Sequence, residues 1–324
     1  MKEFWKYLKV VITLGVVAYF VYYFYNNKSD LLAVFHISPS YLILVFFLAS
    51  LTIFINGVFI KVILQSFKKV ITVLESFYVS VISSLGNYFL PLHGGTVIRS
   101  VYLKKKFDFP YAHFVSTLYG YYVVVFLVNS FMGLLSLAFI TFKYGISSLP
   151  LYLFFGGLFI TMLVLTFIKL PSRKERKGKV KFLDKALGVL NKISEGWNTI
   201  VENKKLLLNL VGISLIFFIA TGILYYFQFK ALGIDVTAIK VLLYNCLSGV
   251  SLLVSITPGS LGIREGIFSI TSDILGISNE QIMQLALLDR GVMLLCLVVL
   301  GVVLYLVKMI LDKKSALTQP MDTN

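Results

Sequence analysis

Long apolar stretches alternate with short polar segments along most of the chain. The stretches extend over roughly 18 to 30 residues, which is enough for a helix to cross a hydrocarbon core of about 30 Å. They are rich in Phe, Tyr, Leu and Val and lack the alternating polar positions of barrel strands. The pattern therefore predicts an all-α polytopic integral membrane protein.

Two kinds of membrane segment are predicted. About six stretches read as full transmembrane spans, at residues 8–25, 41–60, 113–142, 149–170, 206–229 and 282–310. Two further stretches, at about 70–98 and 238–275, contain Pro/Gly breaks and predict re-entrant hairpins; the alternative is eight membrane segments in total. No small-residue cleavage site follows the first stretch, so we expect a retained span and not a signal peptide.

Basic residues favour the re-entrant topology. If both broken segments crossed the membrane, the cluster Arg99–Lys106 and the most basic stretch, Pro171–Lys205, would both lie outside, against the positive-inside rule. Re-entrant hairpins place both inside, together with the C-terminal lysines. We therefore expect a cell-membrane protein with cytoplasmic N- and C-termini. Its hairpins would enter from opposite sides, as an inverted repeat requires.

This interpretation divides the chain into two membrane halves, residues 1–170 and 206–312. Residues 171–205 form a basic cytoplasmic linker, and residues 313–324 are expected to be a disordered tail. Apolar residues such as Phe182, Leu187 and Trp197 recur in the linker at helical spacing. They predict an amphipathic helix that either lies on the membrane surface or forms a solvated connection between the halves.

Composition and charge agree with a membrane protein and argue against other classes. The chain is 58% hydrophobic and 14% charged, and its mean hydropathy is +0.88. The net charge of +15 suits basic loops that face anionic headgroups, and no nucleic-acid-binding module is visible. Cys246 and Cys296 lie in apolar stretches without metal-ligand spacing. We therefore expect no nucleic acid, metal or cofactor.

The two Pro/Gly breaks contain the main candidates for a substrate site. They are Pro91-Leu92-His93-Gly94-Gly95-Thr96-Val97-Ile98-Arg99, which follows Asn87, and Thr257-Pro258-Gly259-Ser260-Leu261-Gly262-Ile263-Arg264-Glu265. Aligning Pro91 with Pro258 also aligns Gly95 with Gly262. Helix breaks and charges at membrane depth are costly, and paired breaks in two halves indicate a transporter's binding site.

At these motifs the sequence resembles the membrane domain of lysylphosphatidylglycerol synthetases, the flippase-like part of the multiple peptide resistance factor proteins and their stand-alone relatives. The family's first motif, P-x-x-x-G-(D/E)-x-x-R, is matched by Pro91, Gly95 and Arg99, with Thr96 at the acidic position. The second, P-G-G-x-G-x-x-E, is matched by Pro258, Gly259, Gly262 and Glu265, with Ser260 replacing the middle Gly. The resemblance implies lipid handling. Since the sequence ends soon after the last span, no soluble aminoacyl-transfer domain and no lysine transfer are expected.

The candidate substrate-binding residues come from both breaks: Arg99, Glu265, Arg264, Gly95, Pro91, Pro258, Gly259, Gly262, Asn87 and His93. Arg99 suits a lipid phosphate, because a guanidinium donates a bidentate fork. Glu265 could bind a cationic headgroup, pair with Arg264 or accept a proton, or it could only stabilise a helix N-terminus. The glycines permit a tight turn or a close helix approach.

These observations predict a lipid flippase or transporter, not an enzyme. It would move a phospholipid, an aminoacylated lipid or a polyprenyl-linked lipid between leaflets. Its partners would therefore be membrane lipids, anionic or lipid-linked. The sequence is also compatible with a homo-oligomer. One alternative is a membrane enzyme acting on a polyprenyl-phosphate substrate, although the sequence shows no carboxylate cluster or nucleophile motif. The other is a scaffold that binds anionic lipid through residues 171–205.

Overall fold

The computed structural model describes residue 25 and residues 36–90, 94–169, 181–254 and 257–317, although not the side chains of residues 181–189, 258 and 312–317. Its helices are α1 (Pro39–Ser66), α2 (Val73–Phe89), α3 (Gly94–Phe107), α4 (Tyr111–Tyr144), α5 (Leu149–Phe167), α6 (Lys181–Glu202), α7 (Lys204–Ala231), α8 (Ala238–Val250), α9 (Ile263–Ile270), α10 (Ser272–Leu275) and α11 (Asn279–Leu317). The predicted first span at 8–24, the site candidates Pro91 and His93, and the tail residues 318–324 lie outside the described residues.

Five of these helices are long and apolar enough to cross a membrane: α1, α4, α5, α7 and α11. Each coincides with one of the predicted full spans. Helix α5 exposes large apolar side chains, among them Leu153, Ile160 and Val164, on the outside of the molecule. An outer surface of this kind suits hydrocarbon. The described part of the chain is thus a polytopic all-helical membrane protein, as predicted.

The first broken segment folds as two antiparallel helices, α2 and α3. Lys106, near the end of α3, lies 2.7 Å from the carboxylate of Glu75 in the first turn of α2. Midway along the pair, the Nε of Arg99 donates to the Ser83 hydroxyl at 3.1 Å. The chain therefore returns to the end of the molecule where α2 began. Helix α3 continues to Phe107, well past Ile98, where the predicted return arm ends.

Glycine allows these two helices to touch. A Cβ atom on Gly95 would lie 1.7 Å from the backbone oxygen of Ser83, so no other residue fits without separating α2 from α3. The Asn87 side chain closes the tip, because its Oδ1 accepts a hydrogen bond from the Gly95 amide at 2.9 Å. Two of the candidate residues therefore hold the first hairpin together.

The second broken segment is also an antiparallel hairpin, formed by α8 on one side and α9–α10 on the other. The rings of Tyr244 and Phe268 stack with centroids 3.9 Å apart. Near the open end, a Cβ on Gly276 would lie 2.6 Å from the Lys240 ammonium. The tip turns through left-handed backbone at Gly259 (φ 57°) and Gly262 (φ 80°), which glycine adopts readily. These angles favour glycine at both positions.

The two hairpins lie against opposite ends of α11. The open end of the first contacts Lys308, whose ammonium is 3.1 Å from Glu75. The open end of the second leads through Ile277 directly into the start of α11 at Asn279. The tips meet in between, since a Cβ on Gly259 would lie 3.9 Å from the Tyr88 ring. The hairpins therefore point toward each other from the two ends of one long helix.

The linker contains the predicted amphipathic helix, α6. Its C-terminal half packs on α4: Trp197 is buried, its ring lies 5.1 Å from that of Tyr119, and its Nε1 donates to the Ile168 oxygen at 2.8 Å. Leu190 on the same helix remains exposed. The C-terminal half of α6 is therefore anchored to α4.

Candidate functional site

A cavity of about 310 Å³ lies where the two hairpin tips meet. Asn87 and Tyr88 of α2 and Thr96 of α3 line it from the first hairpin, and Thr257 and Gly259 line it from the second. Helices α1, α4, α7 and α11 complete its wall. Both broken segments therefore contribute to one site, although they are about 160 residues apart in sequence.

The cavity wall mixes apolar side chains with many hydrogen-bonding ones, whereas the exposed faces of the spanning helices are apolar. Neutral hydrogen-bonding side chains from five helices face it, including Thr52, Asn56, Ser84, Tyr121, Tyr122, Asn129, Ser214, Thr221, Tyr225, Asn245 and Ser248. The Asn56 Oδ1 and Ser214 Oγ atoms are buried and have no hydrogen-bond partner among the described residues. Buried polar atoms are costly unless they are bonded, so these two indicate a polar occupant.

Arg99 enters the cavity wall from α3, and no described residue supplies a counter-charge to it. Its Nε donates to Ser83, but its two terminal nitrogens have no hydrogen-bond or ion-pair partner in the described part of the chain. Its guanidinium lies near the hydroxyl-bearing rings of Tyr121 and Tyr122. A cation placed in this way can donate two parallel hydrogen bonds to a phosphate or carboxylate.

Arg264, by contrast, is neutralised within the protein. Its Nη2 lies 2.7 Å from Asp289 Oδ2 on α11, with 13% and 5% of the two side chains exposed. The other Asp289 oxygen accepts a hydrogen bond from Gln228 Nε2 at 2.9 Å. The Nε of Arg264 is buried without a described partner. This pair both faces the cavity and links the second hairpin to α11 and α7.

A second buried ion pair joins Glu265 to Arg290 of α11 at 2.7 Å. The other Glu265 oxygen accepts from the Gly262 amide at 2.8 Å, which caps the start of α9. Arg290 also donates to the Gly259 backbone oxygen at 2.9 Å and so secures the turn. Glu265 is only 2% exposed and is not among the described residues that line the cavity. These contacts indicate that Glu265 stabilises the tip of the second hairpin.

The comparisons with known proteins agree with this architecture. A family model described as "Lysylphosphatidylglycerol synthase TM region" matches residues 7–301, which is most of the chain. The chain belongs to this family. A search of curated proteins finds no significant match. Membership in the lysylphosphatidylglycerol synthase TM family links the protein to membrane lipids and confirms the resemblance inferred from the two motifs.

The structure separates the candidate residues of this family member into three groups. Arg99, Asn87, Gly259 and Arg264 line the cavity. Gly95, Gly262 and Glu265 shape the two hairpin tips behind the wall, and Pro258 begins the 3₁₀ turn Pro258–Ser260. Pro91 and His93 fall outside the described residues. Glu265 pairs with Arg290, and not with Arg264 as one of the sequence hypotheses proposed.

Several residues in or beside the cavity wall were not among the sequence candidates. Asp289 and Arg290 are adjacent on α11, yet both form buried ion pairs, because side chains about 100° apart on a helix reach two different residues of the same hairpin. Asn56, Asn129 and Ser214 are polar residues within apolar spans, which is a signal of an internal site that the sequence does contain. Tyr121 and Tyr122, in contrast, resemble interfacial aromatics in sequence.

Proposed function

We propose that this protein is a lipid transporter that moves a headgroup between leaflets through the cavity between its two hairpin tips. One observation carries the proposal. Arg99 presents a guanidinium with no described counter-charge to a cavity that both hairpins line and that carries many hydrogen-bonding groups. A cation within the membrane-spanning helices is costly unless it is paired, so the half-buried Arg99 supports a site for an anionic ligand.

The size and lining of the cavity suit a headgroup and not an entire lipid. A volume of about 310 Å³ is at the lower end of the range for small-molecule sites. The walls offer neutral hydrogen-bonding groups, whereas the outer faces of α5 and α7 are apolar. A headgroup would occupy the cavity while its acyl or prenyl chains remain in the bilayer.

The arrangement of the hairpins supports an alternating path. We propose that both are re-entrant, that they form an inverted repeat, and that the chain has cytoplasmic termini in the cell membrane. Their opposed approach along α11 and the predicted positive-inside charge distribution support this topology. Small movements of either tip would then open the shared cavity toward one leaflet at a time.

The other charged residues have positioning roles in this proposal. The Arg264–Asp289 and Glu265–Arg290 pairs fasten the second hairpin to α11. Arg99, about one helical turn after Gly95 in the first hairpin, is the residue that contacts phosphate. Transport by this route involves no change in the covalent structure of the lipid.

A leaflet-exchange assay tests the function. Purified protein would be reconstituted in liposomes with fluorescent phosphatidylglycerol, and exchange would be measured for wild type, Arg99→Gln and Lys105→Gln. Lys105 is an exposed cation on the same helix, so it controls for the loss of one positive charge. We expect exchange in wild type and Lys105→Gln, and at least about a tenfold loss in Arg99→Gln, corresponding to about 1.4 kcal/mol.

Two results would contradict this function. Recovery of a chemically altered lipid would favour a membrane enzyme. Binding of anionic vesicles without exchange, lost only when residues 171–205 are neutralised, would favour a scaffold. Equal exchange in Arg99→Gln and wild type would leave transport standing but would remove the cavity from the path.

Cysteine labelling tests the proposed topology separately. Single cysteines would replace Lys69 and Asp108, which flank the first hairpin, or Asp235 and Ser278, which flank the second. The native Cys246 and Cys296 are buried and give a low background. Re-entrant hairpins require each flanking pair to react from one side of the membrane, the first pair from the cytoplasm. Reaction of Lys69→Cys and Asp108→Cys from opposite sides would show that the segment crosses.

A further inference from the structure

The charge balance of the cavity narrows the class of lipid. We infer that the headgroup it accepts carries a phosphate and uncharged hydroxyl groups but no amine. This inference rests on the proposed function, because it takes the cavity to be the headgroup path. Phosphatidylglycerol and a polyprenyl-phosphate sugar both have a headgroup of this kind. The experiment below distinguishes these two lipids.

The first argument is the net charge of the wall. The charged residues among its described members are Arg99, Arg264 and Asp289, which sum to one positive charge. Arg264 and Asp289 compensate each other at 2.7 Å, so the excess lies on Arg99. A phosphate monoanion would bring the occupied cavity to neutrality. A headgroup with a phosphate and an ammonium group would leave the excess positive charge uncompensated.

The second argument is that no described carboxylate in the wall carries a charge that is not already compensated within the protein. Asp289 is the acidic residue among the described wall residues, and each of its oxygens already accepts a hydrogen bond, one from Arg264 and the other from Gln228. Glu265 lies behind the wall with both oxygens bonded, to Arg290 and to the Gly262 amide. An ammonium group in the cavity would therefore approach guanidinium groups without an acidic partner.

The third argument concerns the neutral wall. The Asn56 Oδ1 and Ser214 Oγ atoms, from α1 and α7, are buried beside the cavity and have no described partner. Asn56 Oδ1 can only accept hydrogen bonds, whereas a serine hydroxyl can donate or accept. Hydroxyl groups of a glycerol or sugar headgroup can satisfy both atoms. The site thus combines one anion-binding group with acceptors and donors for an uncharged polyol.

Lipid competition measured by native mass spectrometry tests the inference independently of transport. The purified full chain would be offered equimolar phosphatidylglycerol, phosphatidylethanolamine, lysyl-phosphatidylglycerol and a polyprenyl-phosphate hexose. We expect the two amine-free lipids to bind at least about tenfold better than the two amine-containing ones. Arg99→Gln should abolish that preference, and Lys105→Gln, which leaves the cavity unchanged, should retain it.

Two substitutions should convert the selectivity. Thr96 lines the cavity one helical turn before Arg99, so Thr96→Glu would add a carboxylate there, with Thr96→Gln as the uncharged match. Asn56→Asp also adds a carboxylate to the cavity wall, with almost no change in side-chain shape. This variant replaces Thr96→Glu in the experiment if Thr96→Glu does not fold. Either acidic variant should bind the amine-containing lipids about tenfold better relative to phosphatidylglycerol.

The outcomes separate this inference from the transport proposal. Equal binding of all four lipids, or a preference of wild type for lysyl-phosphatidylglycerol, overturns the inference even if exchange is observed. A preference for amine-free lipids that disappears in Arg99→Gln supports it even if no lipid is exchanged, in which case the transport proposal fails. Binding of only one amine-free lipid identifies the source of the headgroup.

Discussion

The ion pair between Arg264 and Asp289 gives the sharpest prediction about stability. Both side chains are almost fully buried, and each Asp289 oxygen accepts from a different donor. In Asp289→Asn the side-chain amide can accept at one oxygen, but its NH₂ group must then face a second donor. The substitution also leaves Arg264 buried beside a neutral group.

The cost can be approximated from these contacts. Removing one partner of a buried ion pair typically destabilises a protein by about 3–5 kcal/mol. Arg264 borders the cavity, where water can reach part of its guanidinium, so we expect the lower end, about 3 kcal/mol. Removing both charges in Arg264→Gln/Asp289→Asn should recover most of this loss, since no unpaired ion remains.

Unfolding in mixed micelles with increasing SDS measures these differences. The control is Asp235→Asn, which removes the carboxylate of the exposed Lys230–Asp235 pair at 3.3 Å. Exposed pairs contribute about 0–1 kcal/mol, so this variant should resemble wild type. If Asp289→Asn were no more destabilised than Asp235→Asn, or if the double variant were less stable than the single one, the buried pair would not fasten the hairpin.

The remaining predictions concern packing. Gly95→Ala should destabilise the first hairpin by about 1–3 kcal/mol through overpacking against Ser83. Gly157→Ala, where an added Cβ would meet nothing within 4 Å, should be unchanged or slightly more stable in the same unfolding assay, because Ala favours a helix over Gly. Glu75→Gln removes the anion shared by Lys106 and Lys308 and should cost about 1 kcal/mol, because these groups are partly exposed; an unchanged unfolding midpoint would argue against that contact. In Trp5→Phe the remaining Trp197 should fluoresce at short wavelength and resist acrylamide quenching, whereas strong quenching would mean that α6 does not pack on α4.

Much of the helical framework could be predicted because its signals are local. Each of the five long helices is a continuous apolar stretch, and Pro258, Gly259 and Gly262 mark the second break directly in sequence. Gly95 indicated the close approach of α2 and α3, since a small residue beside a helix break often permits contact between helices. The length of α3 could not be predicted, because its basic C-terminal half, Arg99–Lys106, resembles a loop.

The site depended on contacts that no local pattern encodes. The adjacent residues Asp289 and Arg290 gave no indication that both would face one hairpin, and Glu265 gave no indication that its partner lies 25 residues later on α11. The sequence suggests Arg99 as a phosphate ligand, from its guanidinium chemistry and its place in the first motif. Its lack of a described counter-charge, which carries the functional proposal, depends on the tertiary structure.

The most direct test of the central claim is a cryo-electron microscopy structure in nanodiscs that contain phosphatidylglycerol. The account predicts density for a phosphate within hydrogen-bonding distance of the terminal nitrogens of Arg99, with its glycerol group near Asn56 and Ser214. The same density should be absent from Arg99→Gln. A cavity that contains no lipid headgroup in wild type, with phosphatidylglycerol bound only at the outer surface, would contradict it.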